Sequence, residues 1–199
     1  MFLDRSPNVM ITLFNSMVRS SLEYSCPVWN PATILEVEKL ESIQRSFTSH
    51  INGCKDMSYW DRLKKLDLLS LQRRRERYVI LQIWKIIHGV SPNDINIQFY
   101  KSDRLGLRCR LPYLPNSASR SAKSAYDYSF AVMGPKLWNI LPPKINMLDK
   151  LDSFKNSLTR YIKDRFPDHP PVHGYARCNS NSLLEWARVS DVGSLQQMA

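Results

Sequence analysis

Leu71 to His88 is the segment that most limits what this chain can fold into. Its first half is charged, with Arg73, Arg74, Arg75 and Arg77 close together, and its second half carries Tyr78, Val79, Ile80, Leu81, Ile83, Trp84, Ile86 and Ile87. Those apolar residues cover most of the helical circumference, so no single neighbour can shield them, and such a helix must lie at the centre of a core. Gly89 follows where helices commonly end in a left-handed residue. A helix is therefore expected from about Leu71 to His88, with other elements wrapped around its second half.

The segments before it carry local helix signals. Ser6-Pro7 reads as an N-cap followed by proline in the first turn, and Met10, Leu13, Phe14 and Met17 recur at helical spacing up to about Tyr24. Pro27 and Pro31 bracket a turn around Val28-Trp29-Asn30. A second helix follows with Val37, Leu40, Phe47 and Ile51 on one face, and Glu41 stands four residues before Arg45, a favourable exposed pair. Ser58-Tyr59-Trp60-Asp61 resembles a capping box that starts a short helix ending near Leu66.

Beyond Pro92 the period changes. Leu105, Leu107, Cys109 and Leu111 alternate with polar residues, as do Tyr126, Tyr128, Phe130 and Val132, so both stretches read as strands of one hairpin joined by the serine-rich segment 112–124. Gly134 to Pro143 reads as an aromatic and proline knot. A last helix, capped by Asp152 or Ser153, points Phe154, Leu158, Tyr161 and Ile162 inward and stops before Pro167. The expected fold is thus mainly α: a bundle of about five helices, a small β-hairpin after the central helix and a disordered C-terminal tail. The expected divisions are 1–90, 91–167 and a tail from 168 to 199, in which Leu183 to Ala187 can form one or two helical turns.

Charge is distributed unevenly. Met1 to Asp61 holds 5 basic and 7 acidic residues, Arg62 to Ala125 holds 14 and 4, and Tyr126 to Ala199 holds 9 and 7. The net charge of +10 therefore resides in the middle segment, an asymmetry typical of a surface that faces a polyanion. No stretch approaches the roughly 20 apolar residues of a membrane-spanning helix. Cys26, Cys54, Cys109 and Cys178 are widely spaced without a C-x-x-C pair, which fits free thiols in the cytoplasm or nucleus.

The candidate phosphate contacts are Arg62, Lys64, Lys65, Arg73, Arg74, Arg75, Arg77, Lys85, Arg108, Arg110, Arg120 and Lys123, since guanidinium forks and ammonium groups suit phosphate oxygens. The same charges would equally suit a solvated face paired with Glu36, Glu38 and Glu41. Tyr113, Tyr126 and Tyr128 can stack on bases, although the alternation around Tyr126 and Tyr128 is also what an inward strand face shows. His169, His173 and Cys178 make three metal-ligand types within ten residues but lack the fourth that a closed zinc site needs. No phosphate-binding loop, dinucleotide fingerprint, nucleophile elbow or zinc-protease motif occurs, and no Asp-Asp or Asp-x-Asp pair is present to hold two divalent ions. Catalysis by this chain and any cofactor are not expected.

One family resemblance runs through these segments. Leu22-Glu23-Tyr24, Pro27-Val28-Trp29-Asn30-Pro31, Leu40-Glu41-Ser42-Ile43-Gln44-Arg45, Ser58-Tyr59 with Arg62-Leu63, Arg73-Arg74-Arg75, Lys85-Ile86-Ile87-His88-Gly89, Phe130, Leu137-Trp138-Asn139-Ile140-Leu141-Pro142 and Phe154-Lys155 stand in the order found in LINE-type, jockey-like non-LTR retrotransposon reverse transcriptases. The match covers about Leu13 to Phe166 and resembles the part after the polymerase palm. It implies a thumb-like segment that grips RNA template or an RNA/DNA hybrid, with the missing palm as a possible partner and the paired catalytic aspartates upstream, so that Met1 marks a fragment or gene-model boundary. Ala131-Val132-Met133 stand where several relatives carry arginine, and the tail after Pro167 has no counterpart. The alternative is a decayed or domesticated remnant acting as a protein-interaction module.

Overall fold

A computed structural model describes residues 4–31, 33–112, 126–166, 182–185 and 187 of the 199. Ser6 takes extended backbone and Pro7 occupies the first turn of α1, Pro7–Leu13. The chain stays helical through a π-helical stretch, Phe14–Arg19, into α2, Ser20–Glu23. Thr33 then starts α3, Ile34–Ser49, with a reciprocal capping box to Glu36. Ser58 starts α4, Tyr59–Lys65, its hydroxyl accepting from the Asp61 amide.

The central helix, α5, runs Leu71–Ile87 behind an N-cap at Ser70. It ends in a Schellman arrangement. The Val90 amide donates to the Lys85 carbonyl at 2.8 Å and the Gly89 amide to Ile86 at 3.2 Å, which places Gly89 at φ +67. After it come the antiparallel strands β1, Phe99–Ser102, and β2, Gly106–Cys109, in the register Phe99 to Cys109 through Ser102 to Gly106. Helices α6, Phe130–Asn139, α7, Pro143–Asn146, and α8, Leu151–Arg165, complete the fold.

Three sequence expectations fail here, each for a physical reason. Residues around Tyr126 to Val132 do not form the second strand; residues 126–128 make a helical turn and Phe130 begins α6. β2 pairs instead with β1 across three residues, which costs far less closure entropy than a long loop. The supposed aromatic and proline knot is helix up to Asn139, and it tolerates Pro135 inside because Val132, Leu137 and Trp138 are buried. The last helix begins two or three residues early, at Leu151, with Lys150 at the N-cap and no side-chain cap.

The larger apolar cluster joins Val79, Ile80, Ile83, Trp84 and Ile86 of α5 to Leu137, Trp138, Phe154, Leu158 and Ile162, so it draws on both sides of residue 90. α6 approaches α5 closely at Gly134, where a Cβ would sit 2.7 Å from Ile83 Cδ1. The outer edge of β2 is closed by side chains: Trp138 Nε1 and Asn146 Nδ2 donate to the Leu107 carbonyl, and Asn139 exchanges two hydrogen bonds with the Cys109 backbone. Cys26, Cys54 and Cys109 are free and buried. Burial pushes the Cys26 thiol up to about 11 and Cys109 to about 12, so both are poor nucleophiles.

Candidate nucleic-acid interface

The arginine run at the start of α5 is mostly interior. Arg73 is fully buried, with its guanidinium 5.8 Å from the centre of the Phe166 ring. Arg75 is 3% exposed and stitches the turn before α3 to α5. Its Nε donates to Asn30 Oδ1 at 3.3 Å, Nη1 to the Leu22 carbonyl at 2.7 Å and Nη2 to the Trp29 carbonyl, while the plane lies 3.9 Å from the Trp29 ring centre. Arg62 and Arg108 are also buried. Arg62 donates to the carbonyls of Met57 and Arg45, and Arg108 to the carbonyl of Asn139. These four guanidiniums hold the fold together, and none is placed to meet a phosphate; charge along the sequence was no guide to exposure.

The acidic partners also differ from expectation. Glu41 is buried and does not pair with Arg45. It turns inward, accepts from Tyr59 Oη and takes the Leu71 and Gln72 amides at 3.2 and 3.3 Å, so one carboxylate caps the positive end of α5. Gln44 completes this layer, bridging Arg19, Tyr59 and the Leu69 carbonyl. Arg45 instead stacks 5.2 Å from the centre of the Tyr59 ring. Arg74 is held by Glu23, which also lies 3.6 Å from Arg19 Nε.

Arg77 is half-buried. Its Nε donates to Thr159 Oγ1 of α8 at 2.8 Å, and it has no carboxylate oxygen within 4 Å among the described residues. Burial, and after it the charge of Arg74, pushes Arg77 below the usual arginine range. Burial pushes Arg19 down to about 10 in the same cluster, and two guanidiniums, Arg19 and Arg74, share the single carboxylate of Glu23.

Of the remaining candidates, Lys64, Lys65 and Arg110 are exposed and Lys85 is half-buried. Lys65 Nζ reaches the Gly53 carbonyl at 2.7 Å, and Arg110 makes a 3.4 Å contact to Gln98 Oε1. Lys101 on β1 and Arg104 in the turn after it, not singled out from the sequence, are exposed on the hairpin as Arg110 is. Their signal was available, since both lie at or beside the turn that joins β1 to β2. Arg120, Lys123, Tyr113 and the His169, His173 and Cys178 trio lie outside the described residues. Tyr126 and Tyr128 are half-buried in a helical turn.

Residues 182–185 sit on the opposite flank of α5. Ser182 Oγ donates to Glu76 Oε1 at 2.5 Å and the Leu183 amide to Glu76 Oε2 at 2.8 Å, with Leu183 buried in the main core. Burial pushes the Glu76 carboxyl up to about 7 despite the opposing charge of Arg73. Among the described residues no group of three His, Cys, Asp or Glu side chains is arranged to hold a metal ion, and no helix is long and apolar enough to cross a membrane. Comparison with protein-family models, curated proteins and solved structures yields no match to this chain.

Proposed function

We propose that this chain is the C-terminal nucleic-acid-binding portion of a LINE-type retrotransposon reverse transcriptase, gripping RNA or an RNA/DNA hybrid without chemistry of its own. The resemblance in residue order supports the family. One structural observation supports the binding: Lys64, Lys65, Lys101, Arg104 and Arg110 are exposed, and among the described residues none has a carboxylate oxygen within 4 Å. Uncompensated surface cations on a segment of net +10 attract a polyanion and release its counterions.

Titration of the full chain with RNA and with an RNA/DNA hybrid at rising salt tests this reading. Log K should fall linearly with log salt, by roughly 0.7 to 0.9 per phosphate contact. The triple variant Lys64→Ala, Lys65→Ala, Arg104→Ala should reduce the slope by about two contacts or more while leaving the fold intact, since all three side chains are exposed. A slope identical to that of the wild type would reject the interface.

A second reading, a remnant serving as a protein-interaction module, draws on a different surface. Tyr24, Val28 and Leu35 are 76%, 86% and 70% exposed around a turn that Arg75 holds from the inside. An apolar surface pinned in one shape is suited to docking. That reading predicts no retention on heparin or RNA near 0.15 M salt, where exposed charges are screened beyond about 8 Å.

A further inference from the structure

The hairpin combines an exposed aromatic ring, an exposed cation and an open cleft. Tyr100, on β1, is 48% exposed, as is Leu111 just beyond β2. In the observed register Tyr100 faces Arg108, and the ladder continues with the Arg110 amide donating to the Gln98 carbonyl at 2.9 Å, so Tyr100 and Arg110 project from the same side of the ribbon. Between them lies an open cleft of about 450 Å³ lined by Tyr100, Cys109, Arg110, Leu111 and Asn139. That volume lies in the range of about 300–1,000 Å³ that accommodates small-molecule-sized groups.

The cleft is rigid on its inner wall. Asn139 is tied to both backbone groups of Cys109, at 2.9 and 2.8 Å, and the buried Arg108, on the same side as Tyr100, donates to the Asn139 carbonyl. Its outer wall is an aromatic ring beside an exposed cation, Arg110, with Arg104 exposed in the adjoining turn. Aromatic faces next to cations are how proteins hold unpaired bases: the ring stacks on a base that has left its helix, and the cations follow the phosphates. A duplex offers no such base to stack.

We propose that this side of the hairpin binds one single strand of nucleic acid, with a base stacked on Tyr100 and an adjoining phosphate met by Arg110. This rests on the nucleic-acid reading above and narrows it to unpaired strand. The Tyr100 hydroxyl plays no part, so the ring alone carries the effect.

The test uses the full-length chain with a labelled oligouridylate single strand and an RNA duplex of equal length, at one fixed salt concentration. Tyr100→Ala should weaken single-strand binding about 5- to 100-fold, the range of one lost base stack, and leave duplex binding unchanged. Tyr100→Phe should bind the single strand like the wild type. Equal losses on single strand and duplex, or single-strand binding by Tyr100→Ala at wild-type strength, would overturn the stacking site and leave the broader reading standing. Failure of the wild-type chain to bind either nucleic acid would overturn both. Because Tyr100 is half exposed, circular dichroism and thermal melts of both variants should match the wild type, and this separates loss of binding from loss of fold.

Discussion

The two halves of α5 are equally buried yet held by opposite chemistry. The C-terminal half, Val79 to Ile86, is packed dry against Trp138, Phe154 and Leu158, where aliphatic and aromatic groups need only shape and contact. The N-terminal half buries Arg73, Arg75 and Glu76, and each charge demands specific partners: the carbonyls of Leu22 and Trp29, the Leu183 amide and Ser182 hydroxyl, the ring of Phe166. A dry interface tolerates repacking. A buried charge does not, because its neighbours lose their only hydrogen-bond donors when it is removed.

Two substitutions break the comparison open with the largest effects. Phe154→Ala empties a fully buried ring site and should cost about 3–5 kcal/mol. Arg75→Ala should cost a similar amount, about 3–5 kcal/mol, by leaving a carbonyl-rich turn unsatisfied. Denaturant unfolding distinguishes the mechanisms through the conservative partners. Phe154→Leu should recover much of the loss, whereas Arg75→Lys should recover little, because one ammonium cannot serve Asn30, Leu22 and Trp29 together. If Arg75→Lys were as stable as the wild type, the idea that a guanidinium fork organises this turn would fall.

A smaller effect probes where the helices touch. Gly134→Ala would place a methyl 2.7 Å from Ile83 Cδ1, inside a side chain that is itself fully buried. The expected loss is about 1–3 kcal/mol by overpacking, although alanine is the better helix former. Adding Ile83→Val should return part of it, and a thermal melt of the double variant no better than that of Gly134→Ala would show that the close approach lies elsewhere.

The subtlest effect is on pH dependence. The Glu76 carboxyl is raised from 4.5 to about 7, chiefly by burial. A raised carboxyl contributes stability below its ordinary value, and that contribution is lost as the pH climbs through the folded-state value. The stability gap between wild type and Glu76→Gln should therefore be wider near about pH 5 than near about pH 8. A gap independent of pH would mean that Glu76 titrates normally and that the polar half of α5 is less enclosed than its contacts indicate.

Much of the secondary structure was legible in residues acting on their near neighbours. Ser6-Pro7, Ser58 and Gly89 mark helix ends because caps work over three or four residues, and the run from Val79 to Ile87 announced the core because helical periodicity is local. The strand read into Tyr126 to Val132 failed because a short alternation fits either element, and only the partner decides: β1 lay nearer in sequence, and α5 offered an apolar face to α6.

The candidate interface was legible only in part, for the same reason. Net charge located the basic segment but could not separate Lys64, Lys65 and Arg110 at the surface from Arg73, Arg75, Arg62 and Arg108 inside. What the sequence determined by itself was which stretches turn into helices and where the excess charge resides. The tertiary structure alone decided which cations face water, because a guanidinium is stable in the interior only when carbonyls and carboxylates far along the chain, such as those of Leu22, Glu23 and Trp29, converge on it to replace the water it gives up.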